Sequence, residues 1–333
     1  MNQMSVWEQL TKLPYLSLYT KLINGAMQMD VFSHLTEKTT AKELAKKTGW
    51  NEANTEYMLC ALSSIGFVKK DGESFKNSDD ANRYLVKGKP DYLGGFLLYY
   101  GLNEGTMPMD LQKLVSEGPQ PMQQQAMDSQ LDFEQYGAML RQAQEGYRQQ
   151  EMLNIVRSLP ENDKIKNILD VGCATGLLGL AVIGDSEDRK GVLLDQIPAN
   201  LIQDSVNNAK LTDRVKVVSG NFLTDDIGSG YDMIMAIGVM LFAKGDMESL
   251  LKKFYDALNP GGVLIAVSEG IEADITGPWD MVMGYLPYYL QGMDMGVKKN
   301  EVVNAARNVG FTGFEKRTEL LCSGTQDIDI IRK

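Results

Sequence analysis

The sequence predicts an α/β protein, with a doubly wound, mostly parallel sheet in its C-terminal half and a mainly helical region before it. Three observations carry this. Residues 168–179, ILDVGCATGLLG, run an apolar strand into Asp170, a glycine-rich turn and a helix start. That order opens the first crossover of such a sheet and leaves a nucleotide pocket at the strand's C-terminal end. Twenty-five residues after Asp170, the apolar run GVLLD (191–195) again ends in a carboxylate, Asp195, where these folds bind ribose hydroxyls. Strand-like and helix-like stretches then alternate as far as residue 270, the signature of a parallel sheet.

In chain order, residues 1–36 read as helices with more apolar side chains (Trp7, Leu10, Leu13, Leu16, Leu18, Leu22 and Ile23) than a small domain buries alone, which points to a subunit seam. Residues 40–66 read as a helix-turn-helix unit, and 67–78 as a two-stranded wing turning at Asp71-Gly72. The polar stretch 116–130 reads as a loop, followed by helices from about 132 to 158. In the sheet region, a helix is expected at about 198–209 and strands at 214–222 and 231–239. A further helix at 246–258 places Met247, Leu250, Leu251, Phe254, Tyr255 and Leu258 on one face, and the turn Asn259-Pro260-Gly261-Gly262 leads into a strand at 262–270.

The glycine pattern is GxxxG, neither the GxGxxG of dinucleotide sites nor a P-loop, and no lysine follows to hold phosphate. A ligand without phosphates fits better. Gly172 and Gly176 let the backbone turn tightly beside it, and Asp195 can accept two hydrogen bonds from a vicinal diol.

Composition narrows the classes. At 333 residues, with 44% apolar and 23% charged residues, the chain exceeds one ordinary domain and has a globular balance. A net charge of −11 opposes binding to nucleic acid and anionic membranes. The opening has no signal-peptide pattern and no apolar run is long enough to span a bilayer, so the cytoplasm is the expected compartment. Cys60, Cys173 and Cys322 have no metal-ligand spacing; reduced thiols and no metal are expected. The candidate recognition helix, 52–65, carries Glu52 and Glu56 and neither Lys nor Arg, so it suits packing through Met58, Leu59, Leu62 and Ile65 rather than DNA.

LDVGCATG (169–176), Asp195, Gly220-Asn221-Phe222 and LNPGG (258–262), with MDVFSHL (29–35) and the unit at 40–70, resemble the S-adenosylmethionine-dependent small-molecule O-methyltransferases. The resemblance implies a Rossmann-like class I methyltransferase sheet behind an N-terminal winged-helix dimerisation domain. It implies a dimerisation domain at 1–115, connecting helices at 116–160 forming part of the acceptor pocket, and a methyltransferase domain at 161–333. It also implies a homodimer, S-adenosylmethionine as cofactor and a small-molecule acceptor. The cofactor residues it implies are Asp170, Gly172, Cys173, Gly176, Asp195, Gln196, Asn221, Phe222 and Ala236. Acceptor-lining residues would be Tyr147, Met240, Phe242, Trp279, Met283 and Tyr289.

The chain departs from this family at the catalytic base. Where many members carry a histidine after the fourth strand, GVMLFAKGD (238–246) puts Leu241 or Phe242, and the one histidine is His34. Glu269, at the end of the fifth strand, and Tyr147 are the polar candidates left. A general base contributes roughly 3 to 5.5 kcal/mol, whereas orienting a nucleophile in line with an activated methyl can supply about 7 to 11 kcal/mol. Methyl transfer by positioning therefore survives the loss when the acceptor is already nucleophilic. The alternatives are a cofactor-binding relative doing non-methylating chemistry and a ligand-responsive winged-helix regulator.

Overall fold

The computed structural model describes residues 4–103, 110–119 and 133–333, which form two compact units: 4–103 with Glu145–Arg148, and the remainder. Most of the loop expected at 116–130 lies outside the described residues.

In the first unit, α1 (Val6–Gln28) starts at a capping box in which Ser5 and Glu8 satisfy each other's backbone donors. It buries Ile23, Ala26 and Met27, while Val6, Trp7, Leu10, Leu13, Tyr15 and Leu18 are exposed. After α2 (Val31–His34) come β1 (Thr39–Thr40), α3 (Ala41–Thr48) and α4 (Glu52–Ser64). Leu59 and Leu62 of α4 are fully buried and Met58 and Ile65 pack beside them, the core-facing role expected for that helix. β2 (Val68–Asp71) and β3 (Ser74–Asn77) pair antiparallel about Gly72, whose φ of +59° the turn requires, and β1 completes a three-stranded sheet. α5 (Asp79–Tyr84) and α6 (Gly94–Asn103) follow.

The second unit holds α7 (Leu111–Glu117), α8 (Phe133–Gln144) and most of α9 (Tyr147–Arg157). Next come β4 (Asn167–Val171), α10 (Leu177–Gly184), β5 (Lys190–Asp195), α11 (Ala199–Asn208), β6 (Val215–Ser219), β7 (Tyr231–Ile237) and α12 (Met247–Ala257). β8 (Leu258–Ser268), α13 (Trp279–Leu290), α14 (Glu301–Asn308), β9 (Gly313–Leu321) and β10 (Gly324–Arg332) end the chain. The sheet order is β6-β5-β4-β7-β8-β10-β9, with the first five strands parallel and β10 antiparallel to both its neighbours.

Burial on both faces explains the continuous apolar strands. Leu169, Leu194 and Ile234 face Leu250, Leu251 and Phe254 of α12, while Ile168, Leu193 and Met233 pack with Leu180 and Ile183 of α10 and Ile202 and Val206 of α11. Two boundaries differ from expectation. Asn259-Pro260-Gly261-Gly262 is a bulge within β8, where pairing shifts from Tyr231–Leu258 to Met233–Val263, and it is not a turn ahead of the strand. β6 stops at Ser219, because the chain bends at Gly220 and Asn221 to begin the next turn.

Candidate active site

The C-terminal ends of β4, β5, β6, β7 and β8 form one edge, and the glycine turn is built against it. The Gly172 and Cys173 N–H groups both donate to Leu194 O, at 2.8 and 3.2 Å. Gly172 has φ +62°, and a Cβ there would lie 2.5 Å from Val239 Cγ1. Gly176 has φ +80°, and its Cβ would meet Leu193 Cδ1 at 2.7 Å. Both glycines are required by backbone conformation and by space. Asp195 ties the turn to β5: Oδ2 accepts the Ala174 N–H at 2.7 Å and Oδ1 the Ile197 N–H at 3.1 Å. Gln196 beside it is exposed.

The sequence pattern missed Gln144. From the end of α8, its buried amide donates to Cys173 O at 3.0 Å and accepts from the Thr175 hydroxyl at 2.8 Å and the Leu177 N–H at 3.3 Å. Nothing local marks it, since its partners lie about thirty residues away.

Asp170 sits beneath the turn, 3% exposed, and accepts the Gly179 N–H at 3.0 Å. Burial pushes its carboxyl up to about 8; the Gly179 hydrogen bond pulls the other way, and the nearby Asp195 charge adds to the rise. Burial likewise pushes the Cys173 thiol up, so it stays protonated and packs as a small residue.

After β6, Asn221 Oδ1 accepts the Leu223 N–H at 2.9 Å. This bond uses one of the two lone pairs of the amide oxygen and orients the side chain within the turn. Phe222 is buried, and its ring meets Phe242 edge-on at 6.4 Å between centroids. This pair brings together the turns after β6 and β7. Two other expected site residues do not face outward: Ala236 and Met240 are fully buried in the core cluster. Ala236 lies inside β7 between Val171 and Ala266, and the 3-10 turn Met240–Ala243 folds Met240 inward while leaving Phe242 57% exposed. The backbone opens instead at Gly238, with φ +68° and no atom within 4 Å of a Cβ placed there.

Glu269 follows β8 directly and is 3% exposed. Its Oε1 accepts the Tyr285 hydroxyl at 2.6 Å and its Oε2 the Val297 N–H at 3.1 Å. On α13, Trp279 and Met283 are 44% and 57% exposed, whereas Tyr289 packs toward residues 296–298 and its hydroxyl accepts from Lys298 Nζ at 3.2 Å. Tyr147 belongs to the first unit, where its ring stacks edge-on to Tyr84 at 5.5 Å and its N–H donates to Tyr92 O at 3.0 Å. His34 is also there, edge-on to Trp50 at 6.2 Å. Among the described residues, no group of three metal-ligating side chains converges.

A concavity of about 340 Å³ lies at the opposite edge of the sheet, lined by residues including Asn167, Lys190, Lys216 and Tyr231. It contains none of the glycine-turn residues, and the strand C-terminal edge is where this topology binds ligands.

Residues 169–264 match the methyltransferase domain family. Over longer spans, the chain is 24% identical to the tetracenomycin polyketide synthesis 8-O-methyl transferase of Streptomyces glaucescens, covering 94% of this chain and 93% of that one. It is 22% identical to the 3-hydroxy-5-methyl-1-naphthoate 3-O-methyltransferase of Streptomyces sahachiroi, covering 79% and 77%. The fold matches human N-acetylserotonin methyltransferase, solved in complex with S-adenosylmethionine, with a TM-score of 0.74 at 17% identity over 99% and 98% of the two chains. The donor set fits that cofactor. Asp195 keeps lone pairs for a diol, the exposed backbone at Gly238 leaves room, and there is no phosphate-binding lysine. With the domain match falling on the glycine turn and the sheet that carries it, the chain is an S-adenosylmethionine-dependent methyltransferase, similar over most of its length to enzymes that methylate small molecules.

Proposed function

We propose that this enzyme methylates a small, partly apolar acceptor that is already nucleophilic when it binds, with positioning rather than an enzyme base supplying the rate. When bound, S-adenosylmethionine supplies a methyl group activated by its sulfonium. Asp195 would hold the ribose, Gly172 to Gly176 the methionine end, and Asn221 and Phe222 the adenine. Phe242, Trp279 and Met283 are the acceptor-side apolar groups. The observation that carries this reading is the segment after β7: Phe242 is an exposed apolar ring and Leu241 is half-buried, while the histidine lies in the other unit. Neither side chain accepts a proton.

The N-terminal unit is read as a winged-helix dimerisation domain, with the exposed apolar surface of α1 covered by a second copy of this chain, and the connecting helices as part of the acceptor pocket. The cytoplasm is the proposed compartment; among the described residues no helix is long and apolar enough to cross a membrane. Transfer from S-adenosylmethionine carrying a labelled methyl group, offered to a thiol, an amine, an acidic phenol and a neutral alcohol, tests the reading. Label is expected on the first three classes and not on the alcohol. Rapid labelling of the alcohol would refute it, and no label at all despite tight S-adenosylhomocysteine binding would favour a non-methylating relative.

A further inference from the structure

The segment between β8 and α14 is fastened at several points. Glu269, one residue beyond β8, divides its carboxylate between Tyr285 in the middle of α13 and the backbone of Val297. Beside this, Ile271 N donates to Val297 O at 3.0 Å and Lys299 N to Ile271 O at 2.8 Å. From the loop after β7, Lys244 Nζ donates to Gly296 O at 2.8 Å and pairs with Asp294 at 2.6 Å. Residues 279–298 are thus pinned to the residue that follows β8 and to the loop that follows β7. α13 needs such support. Gly284 lowers its intrinsic helix stability, and Pro287 removes a backbone donor and crowds the Met283 carbonyl.

We propose that Glu269 and Tyr285 form a positioning latch: their hydrogen bond holds α13 against the end of β8 and so sets the shape of the acceptor wall carrying Trp279 and Met283. This rests on the acceptor site proposed above, and it assigns Glu269 a role different from that of a base. Both of its oxygens already receive donors, and the carboxylate is buried beneath the segment it holds. A buried carboxylate is stable only while such donors are kept, so the latch is costly to open.

Hydrogen exchange on the full-length protein, with and without S-adenosylhomocysteine, tests this in Tyr285→Phe, Glu269→Ala and Glu269→Gln. In Tyr285→Phe and Glu269→Ala, amides of 279–298 are expected to exchange about tenfold faster or more, with β4 to β7 unchanged. Glu269→Gln, whose amide oxygen can accept the Val297 N–H while its NH2 donates to the Tyr285 hydroxyl oxygen, retains most of the protection. In turnover of 2-naphthol, Tyr285→Phe is expected to raise the acceptor KM about fivefold or more while moving kcat less than about twofold, and to leave the pH profile in place. Unchanged exchange in Tyr285→Phe would overturn the latch. So would a Glu269→Gln variant that loses kcat and an ionisation while keeping normal exchange, because that is the behaviour of a base. Calorimetry with S-adenosylhomocysteine on the wild type separates the two readings: no binding there would remove the cofactor site and leave the exchange result intact.

Discussion

Asp195 Oδ2 accepts the Ala174 N–H at 2.7 Å, so the carboxylate at the end of β5 also holds the glycine turn at the end of β4. Ala174 has φ +50°, a conformation costly for a residue with a Cβ, and this bond helps to keep it there. Asp195→Ala removes the diol acceptor and the turn's anchor together. S-adenosylhomocysteine binding is expected to weaken by roughly 2 to 4 kcal/mol in calorimetry. Unchanged affinity would show that the ribose binds elsewhere.

Asp170 makes both stability and cofactor affinity depend on pH. Burial raises its carboxyl to about 8, far above its unfolded value. The folded state therefore holds a proton that the unfolded chain has released, and stability falls as pH rises from the ordinary carboxylate range toward 8, then levels. Asp170→Asn should flatten this slope in thermal unfolding. A cationic ligand beside Asp170 favours its ionised form, so S-adenosylmethionine binding should release a proton and tighten between about pH 6 and 8, by at most tenfold per unit. Pairing calorimetry in buffers of different ionisation enthalpy detects that proton; its absence would place the ligand's charge away from Asp170.

The exposed ridge of α1 predicts the outcome of truncation. Trp7 is 73% exposed, and Leu10, Leu13 and Leu18 are exposed as well. Removing residues 1–36 also takes out Phe32 and Leu35 from the unit's core, so Trp7→Ser with Leu10→Ser is the cleaner variant. Light scattering should find the wild type dimeric and the double variant shifted toward monomer. A monomeric wild type would refute the seam.

Restoring a histidine should not help. Leu241→His and Phe242→His introduce an imidazole into the apolar run VMLFA (239–243), where it would need an acidic partner to fix its tautomer. Turnover of the natural acceptor is expected to stay flat or fall. A gain of about a hundredfold, the general-base range, with a new ionisation near neutral pH, would instead mark a decayed acid-base site.

The sheet and its glycine turn were legible because buried parallel strands are continuous apolar runs and because Gly172 and Gly176 satisfy local steric demands visible in the pattern itself. Asp195 was legible for the same reason: strand, carboxylate and turn are contiguous in sequence. Gln144, Gly238 and the Glu269–Tyr285 bond were not, since each depends on where distant segments meet. The resemblance implies Ala236 and Met240 as site residues, and the fold buries both side chains in the core.

The measurement that bears most directly on catalysis by positioning is the pH dependence of kcat/KM for labelled methyl transfer to a series of phenols of graded acidity. If the acceptor must arrive ionised, each profile rises with a midpoint that follows that phenol's own pKa. A single midpoint near neutral pH, shared by all the phenols and lost in one enzyme variant, would show an enzyme base at work and contradict the account.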